Sequence, residues 1–205
     1  MYIINKNGFV IADDVVYEEI DDHYEVHAYV QKIGFGNLME NLIISSEICG
    51  LPVTKIQKRA FINKRDLEYV TIPNSIKVIE AKAFFGCNAL KTLTIPDSVE
   101  EIQDSAFWMC DSLEDLYLPK LKAPLRDCLF LLSKKEGDIF SNSCFPTKIH
   151  YPGTKQEFLS MLGGIIPDVG LASIVTDPED VQEIGLINGT RIPVKVCCSD
   201  ESFLY

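Results

Sequence analysis

Cys144 and His150 are residue types that fit nucleophilic catalysis, with the thiol as nucleophile and the imidazole as base. A thiol-dependent or hydrolase-like enzyme that uses this pair is therefore one hypothesis. However, nothing near the pair in the sequence supplies an oxyanion hole or a third group to orient the histidine. The chain also lacks a phosphate loop, a dinucleotide fingerprint, a hydrolase elbow and a metalloprotease motif. We therefore favour a non-enzymatic protein with no catalytic residues.

Two histidines and a glutamate share one side of a predicted strand, and these residue types are ordinary metal ligands. They are His23, Glu25 and His27. Residues two apart on one strand face stand roughly 6.5–7 Å apart, so the outer histidines cannot chelate one ion without help from a second strand. The chain contains no Cys-x-x-Cys pair, and its vicinal Cys197-Cys198 points to opposite strand faces. We therefore predict no metal site and no cofactor.

The charge balance narrows the classes of partner. The 205 residues include 19 basic and 30 acidic side chains, which gives a formal net charge of −11. This balance argues against binding to nucleic acid or to anionic lipid, which requires clustered Lys and Arg. No apolar run approaches the roughly 18 residues of a membrane span. The expected partner is a protein, or a glycan, and the oligomeric state stays open.

The cysteines and the first residues bear on location. Seven cysteines is an odd number, and Cys87 and Cys110 occupy equivalent points of a repeat, so we expect buried thiols rather than disulfides. The chain starts without the basic and apolar stretches of a secretory signal. These features favour a cytoplasmic protein. The alternative is a cell-surface, secreted or structural surface protein whose leader is missing from this chain.

A repeat with a step of 23 residues organises the middle of the chain. The dipeptide Ala-Phe recurs at that step, and so do a leucine and a pair made of Ile or Leu followed by Pro. The matching positions are Ala60-Phe61, Ala83-Phe84 and Ala106-Phe107; Leu67, Leu90 and Leu113; and Ile72-Pro73, Ile95-Pro96 and Leu118-Pro119. A fixed period of this length is typical of a solenoid, in which each unit buries its apolar face against its neighbours.

One unit of the repeat can be read directly. Leu90, Leu93 and Ile95 have the L-x-x-L-x-L spacing of a leucine-rich repeat strand. Leu93 and Ile95 are two residues apart, so both face inward, and Pro96 ends the strand because it cannot donate to a sheet. We therefore predict an α+β repeat: a short right-handed leucine-rich-repeat solenoid with one strand per turn of about 23 residues.

The two ends differ from the repeat and are expected to cover the terminal faces of the solenoid. Residues 9–30 read as two antiparallel strands of an N-terminal β-hairpin cap, with Tyr24, Val26, Ala28 and Val30 on one side. The other end reads as a mixed helix and strand cap. It has a helix over 155–162 after a capping box, a second helix start at 177–180 and a last strand at 194–197.

These predictions divide one continuous domain into three parts. The parts are an N-terminal cap over residues 1–40, a solenoid over 41–152 with an insertion near 131–145, and a C-terminal cap over 153–205.

Several segments resemble the BspA-type leucine-rich repeats. The resemblance lies in "LPVTKI" at 51–56, "AFFGC" at 83–87 and "IPDSV" at 95–99, with a family-like opening at 44–50 and family-like endings at 151–158 and 194–200. It covers roughly residues 40–200, although Ser45 replaces a proline and Lys64 replaces the repeat cysteine. The resemblance implies a non-enzymatic binding or adhesion module, since such proteins are often surface or secreted modules of gut and oral bacteria and of some protozoa.

The outward residues of the repeat strands are the candidate binding surface, because they do not hold the core together. We call this surface the strand face. Two tyrosines among small polar residues suit protein recognition. The alternative interpretation is an ordinary solvated sheet surface made of residues that favour β-strands. The strand face consists of Asn41, Ile43, Tyr69, Thr71, Thr92, Thr94, Asp115, Tyr117, Lys148 and His150.

Overall fold

A computed structural model of the protein describes residues 3–4, 9–30, 41–121, 148–161, 195–197, 199 and 202–204. Within these residues the regular secondary structure is almost entirely short β-strands, joined by turns. In chain order its elements are β1 (Ile3–Ile4), β2 (Val10–Ala12), β3 (Val15–Ile20), β4 (His23–Tyr29), β5 (Asn41–Ile43), β6 (Glu47–Ile48), β7 (Leu51–Ile56), β8 (Tyr69–Thr71), β9 (Val78–Ile79), β10 (Thr92–Thr94), β11 (Glu101–Ile102), β12 (Asp115–Tyr117), β13 (Lys148–His150), α1 (Lys155–Met161), β14 (Lys195–Cys197) and β15 (Ser202–Leu204).

The strands form two sheets that run along the stacked coils. The first sheet has the order β15-β14-β13-β12-β10-β8-β5, and from β5 to β14 its neighbours are parallel. The second has the order β1-β2-β3-β4-β7-β9-β11, with β6 paired to β7. Parallel neighbours separated by a full coil are what stacked repeats produce. Within the described residues, no helix is long and apolar enough to span a membrane.

Each central coil contributes two strands, so the expectation of one strand per turn is wrong, and α1 is the one helix of the described residues. In the coil that contains β10, the chain turns at Pro96 and re-enters the core at Val99 and Ile102. Glu101 and Ile102 then pair in parallel with Val78 and Ile79 of the previous coil. The inward residues at a spacing of three therefore lie beside a short second strand.

The core is a set of ladders in which equivalent side chains of successive coils pack on each other. Leu67, Leu90 and Leu113 are buried, as the 23-residue step predicts. Phe61 stacks on Phe84 with ring centroids 4.7 Å apart, and Phe84 on Phe107 at 5.6 Å. Dispersion and burial of these rings tie each coil to the next.

The buried cysteines belong to the same core. The Cys87 thiol donates to the carbonyl of Phe61 over 3.1 Å, and the Cys110 thiol donates to the carbonyl of Phe84 over 3.2 Å. Burial raises the pKa of Cys87 to about 12 and raises the pKa of Cys110 well above its ordinary value. Both thiols are free and protonated, which confirms the prediction of buried thiols at these positions.

The N-terminal residues form more strands than the predicted hairpin. Residues 9–30 contain β2, β3 and β4, and β1 pairs with β2. The register between β3 and β4 shifts near Val16 and Tyr17, which leaves His27 as an extra residue. The bulge turns Tyr29 into the core and leaves Ala28 half-buried and Val30 48% exposed, so the expected common side for Tyr24, Val26, Ala28 and Val30 is wrong beyond the bulge.

At the other end of the described residues, the capping box and its helix are present. The Glu157 carboxylate accepts from the Thr154 amide at 2.7 Å, and the Glu157 amide donates to the Thr154 hydroxyl at 3.2 Å. Helix α1 follows, and β14 pairs in parallel with β13. The insertion expected near 131–145 and the second helix start at 177–180 lie outside the described residues.

Candidate binding surface

The ten residues of the strand face lie in two rows across the first sheet. Strand pairing aligns the first residues of β5, β8, β10, β12 and β13 in one row and the third residues in another. The middle residues point into the core. Row one is Asn41, Tyr69, Thr92, Asp115 and Lys148, and row two is Ile43, Thr71, Thr94, Tyr117 and His150.

The strand face exposes large apolar side chains. Ile43 is 63% exposed, Tyr69 37% and Tyr117 40%. Within the described residues these are three of the four large hydrophobic residues that are exposed, and the fourth is Val30 in the N-terminal strands. Exposed apolar groups gathered on one surface are typical of interaction sites, whereas isolated ones are ordinary.

His150, Tyr117 and Asp115 form one rigid group at one end of the strand face. The His150 imidazole stacks on the Tyr117 ring, with centroids 4.1 Å apart and planes 6° from parallel. Its Nε2 atom lies 2.6 Å from the Asp115 carboxylate. The three side chains hold each other in place, so this part of the surface is ordered before any ligand binds.

Tyr69 is in contact with Lys91, a residue that the sequence analysis did not identify as part of the surface. Lys91 lies just before β10, and its Nζ sits 5.7 Å from the centroid of the Tyr69 ring. The same ammonium contacts the Glu68 carboxylate at 2.7 Å, and this hydrogen bond raises the pKa of Lys91. The 23-residue step from Glu68 to Lys91 was the available signal, because it places opposite charges on adjacent coils.

A shallow depression of about 410 Å³ opens beside the two threonines of row two. Thr71 and Thr94 line it on the strand side, and Asn74 and Asp97 line it where the chain turns after each strand. The depression therefore adds Asn74 and Asp97 to the polar groups at the border of the strand face.

The other sequence candidates are placed differently. The His23 Nε2 atom lies 3.4 Å from Glu25, whereas the His27 Nδ1 atom faces Gln57 at 2.8 Å and its ring packs on Phe9. No group of three or more metal-binding side chains occurs among the residues that the structure describes.

The thiol candidates lie mostly outside what the structure describes. Cys144 and Cys198 belong to undescribed parts of the chain. The Cys144–His150 hypothesis therefore has one placed member, and His150 belongs to the group with Asp115 and Tyr117. Cys197 has a described backbone position at the end of β14.

Solved structures of leucine-rich repeat proteins resemble this fold. A Bacteroides capillosus protein is 21% identical with a TM-score of 0.52, over 71% of this chain and 99% of that one. A Bacteroides ovatus protein is 25% identical with a TM-score of 0.49, over 55% of this chain and 30% of its own length. A leucine rich cell surface protein from Faecalibacterium prausnitzii is 20% identical with a TM-score of 0.44, over 70% and 45%.

The family comparison agrees with the repeat seen in the fold. No curated protein matches the chain. The chain spans less than half of the length of the Bacteroides ovatus and Faecalibacterium prausnitzii proteins. The model of the BspA type leucine rich repeat region matches residues 53–154 in six copies. This chain therefore belongs to the BspA-type leucine-rich repeat family.

Proposed function

We propose that the chain is a non-enzymatic interaction module whose strand face contacts a partner protein. One observation carries this proposal: three of the four exposed large apolar side chains of the described residues, Ile43, Tyr69 and Tyr117, lie on the strand face and belong to no core. Tyrosine provides rigid contact area at a low cost in conformational entropy, and repeat proteins commonly bind along such extended faces.

The order of the surrounding polar groups supports binding rather than catalysis. Asp115 and His150 hold each other and Tyr117, and Lys91 is held by Glu68 beside Tyr69. Side chains fixed before binding lose little freedom when a partner docks, which favours affinity.

The test is capture of a partner by a doubly substituted strand face. Tyr69→Ala combined with Tyr117→Ala is expected to weaken partner capture from the native organism's lysate and culture surface by roughly 10-fold or more, since interface tyrosines are frequent hot spots. Thermal stability should change little, because both side chains are exposed. Val30→Ala is the matched control, as it shortens an exposed apolar residue outside the strand face. Equal capture by the double variant and the control would exclude the strand face as the site.

The cellular location of the protein stays a prediction with two alternatives, the cytoplasm and the cell surface. Labelling intact cells with a membrane-impermeant biotin reagent distinguishes them. Lys148 of the first sheet and Lys77, just before β9 of the second, are exposed amines, so a surface protein would be labelled without lysis.

A further inference from the structure

Row two of the strand face contains a gap, which we call the threonine gap. Its floor is Thr71 and Thr94, and its walls are the larger side chains of Ile43 and Tyr117. Three strand spacings separate the walls, so their Cα atoms lie about 14 Å apart. After subtraction of the two side chains, this leaves room for one flat side chain of a partner above the two hydroxyls.

The Tyr117 wall presents a ring face to this gap. His150 is the neighbour of Tyr117 on β13, and the stacked imidazole covers the ring on that side. Because the two planes are parallel and the residues adjoin across the sheet, the other face of the Tyr117 ring is turned toward Thr94. A ring face carries the negative end of the aromatic quadrupole and attracts cations.

A carboxylate stands at the end of the same gap. Asp97 is exposed and lines the depression together with Thr71, Thr94 and Asn74. Within the described residues, the Asp97 side chain makes no ion pair or hydrogen bond. Its negative charge is therefore available to a ligand.

Among the described residues, the lysines of the neighbouring strands and turns are paired with carboxylates or lie in row one. Lys120 occupies the position equivalent to Asp97 on the next coil, and it pairs with Glu157 at 3.1 Å. Lys91 pairs with Glu68, and Lys148 lies in row one beyond Asp115. The formal net charge of the whole chain is −11, which favours association with a cationic partner.

We propose that the threonine gap takes an arginine side chain of the partner protein, with the guanidinium stacked on Tyr117 and hydrogen-bonded to Asp97. This inference rests on the proposed function and names the group that the strand face recognises. Arginine fits better than lysine because its planar fork stacks on a ring and bonds a carboxylate through two N–H groups. The hydroxyls of Thr71 and Thr94 accept the remaining N–H donors.

The test titrates the complete chain with N-acetylarginine amide and follows the backbone amide signals by NMR. We expect saturable shifts of Thr71, Thr94 and Tyr117, with weaker binding at high salt because the pair is exposed. N-acetylcitrulline amide, a neutral compound of the same shape, and methyl β-glucopyranoside serve as parallel probes. Asp97→Asn should raise the dissociation constant for the arginine probe roughly fivefold. Asp111→Asn, an exposed carboxylate that contacts Asn88, is the matched control and should leave it unchanged.

Each other outcome contradicts the inference. Equal binding of the citrulline probe, or unchanged affinity of Asp97→Asn for the arginine probe, would exclude recognition of a positive charge at the gap. Shifts at the gap with the glucoside alone would show a carbohydrate site instead. If the arginine probe fails while Tyr69→Ala with Tyr117→Ala still abolishes partner capture, the arginine site is wrong and the interaction module stands.

Discussion

At the scale of single residues, the buried carboxylate of Glu25 joins the N-terminal strands to the repeat. Glu25 is 6% exposed and lies 2.7 Å from the Lys55 ammonium and 2.8 Å from the Gln57 amide nitrogen. Burial alone would raise the pKa of Glu25, but the hydrogen bonds from Lys55 and Gln57 lower it below the ordinary value. The charged form therefore stabilises the fold, because its bonds outweigh the loss of water.

This arrangement predicts an acid-dependent loss of stability that Glu25→Gln removes. Because the pKa of Glu25 is lowered in the folded state, its contribution to stability is complete above the ordinary glutamate pKa of 4.5 and is lost as the pH falls through the folded pKa. We expect Glu25→Gln to reduce the unfolding free energy at pH 7 by about 2 kcal/mol. Urea unfolding at several pH values should show the difference from wild type shrinking below pH 4.5.

The control for this prediction is an exposed glutamate. Glu47→Gln should give a pH dependence close to wild type, since Glu47 is exposed on β6. A constant difference between Glu25→Gln and wild type down to pH 3 would contradict the lowered pKa, because the carboxylate would then contribute nothing through its charge.

At the scale of elements, each coil bends around its Ala-Phe pair through two left-handed residues. Positive φ angles recur at the 23-residue step at Arg59, Lys82 and Ser105, and again at Asn63, Gly86 and Met109. Glycine and asparagine suit such angles, but the other side chains carry a steric cost of roughly 1–2 kcal/mol each. The packing of Phe61, Phe84 and Phe107 offsets this cost and stabilises the left-handed conformations.

A glycine at one of these corners is expected to stabilise the protein. Arg59 is exposed with a φ of 64°, so Arg59→Gly relieves the backbone and removes few contacts. We expect the unfolding free energy to rise by about 0.5–1 kcal/mol, after the extra entropy of glycine in the unfolded chain is subtracted. Thermal unfolding followed by circular dichroism measures the change.

The neighbouring residue supplies the comparison for that variant. Lys58 is equally exposed but has no positive φ, so Lys58→Gly should lower the melting temperature. Destabilisation of similar size by both glycines would show that the corner at Arg59 is not strained.

At the scale of the whole molecule, contacts between successive coils stabilise the stack. The aromatic column continues past the repeats, since Tyr29 of β4 lies 6.0 Å from Phe61. The Tyr29 amide donates to the Ala60 carbonyl at 3.0 Å, just as the Phe61 and Phe84 amides donate to the next coil. The last N-terminal strand thus takes the place of a preceding coil and covers the end of the core.

Loss of a central ring is expected to uncouple neighbouring coils. Phe84 is fully buried between two stacked rings, so Phe84→Ala should reduce the unfolding free energy by about 3–5 kcal/mol. Phe85→Ala is the matched control, because the adjacent ring is half-buried, meets Trp108 edge-on at 5.1 Å and lies 5.8 Å from the Lys82 ammonium. If urea unfolding shows equal decreases in unfolding free energy for the two variants, the stacked phenylalanine rings do not stabilise the contact between coils.

The repeat fold and the strand face could both be predicted from the sequence, because every coil must bury its own apolar residues at the same step. The alternation of Leu90, Leu93 and Ile95 determines which side chains face inward and leaves Thr92 and Thr94 outside. The candidate rows follow from that alternation without any knowledge of long-range contacts.

Tertiary structure alone decided the rest, since it depends on which distant segments meet. The bulge at His27 exists because Tyr29 must reach Phe61, a contact between segments about 30 residues apart that local alternation does not encode. The stack of His150 on Tyr117, and the depression that Asp97 and Thr71 both line, arise from coils placed side by side. The step of the sequence places residues on a face, but the stacking of coils decides which of them touch.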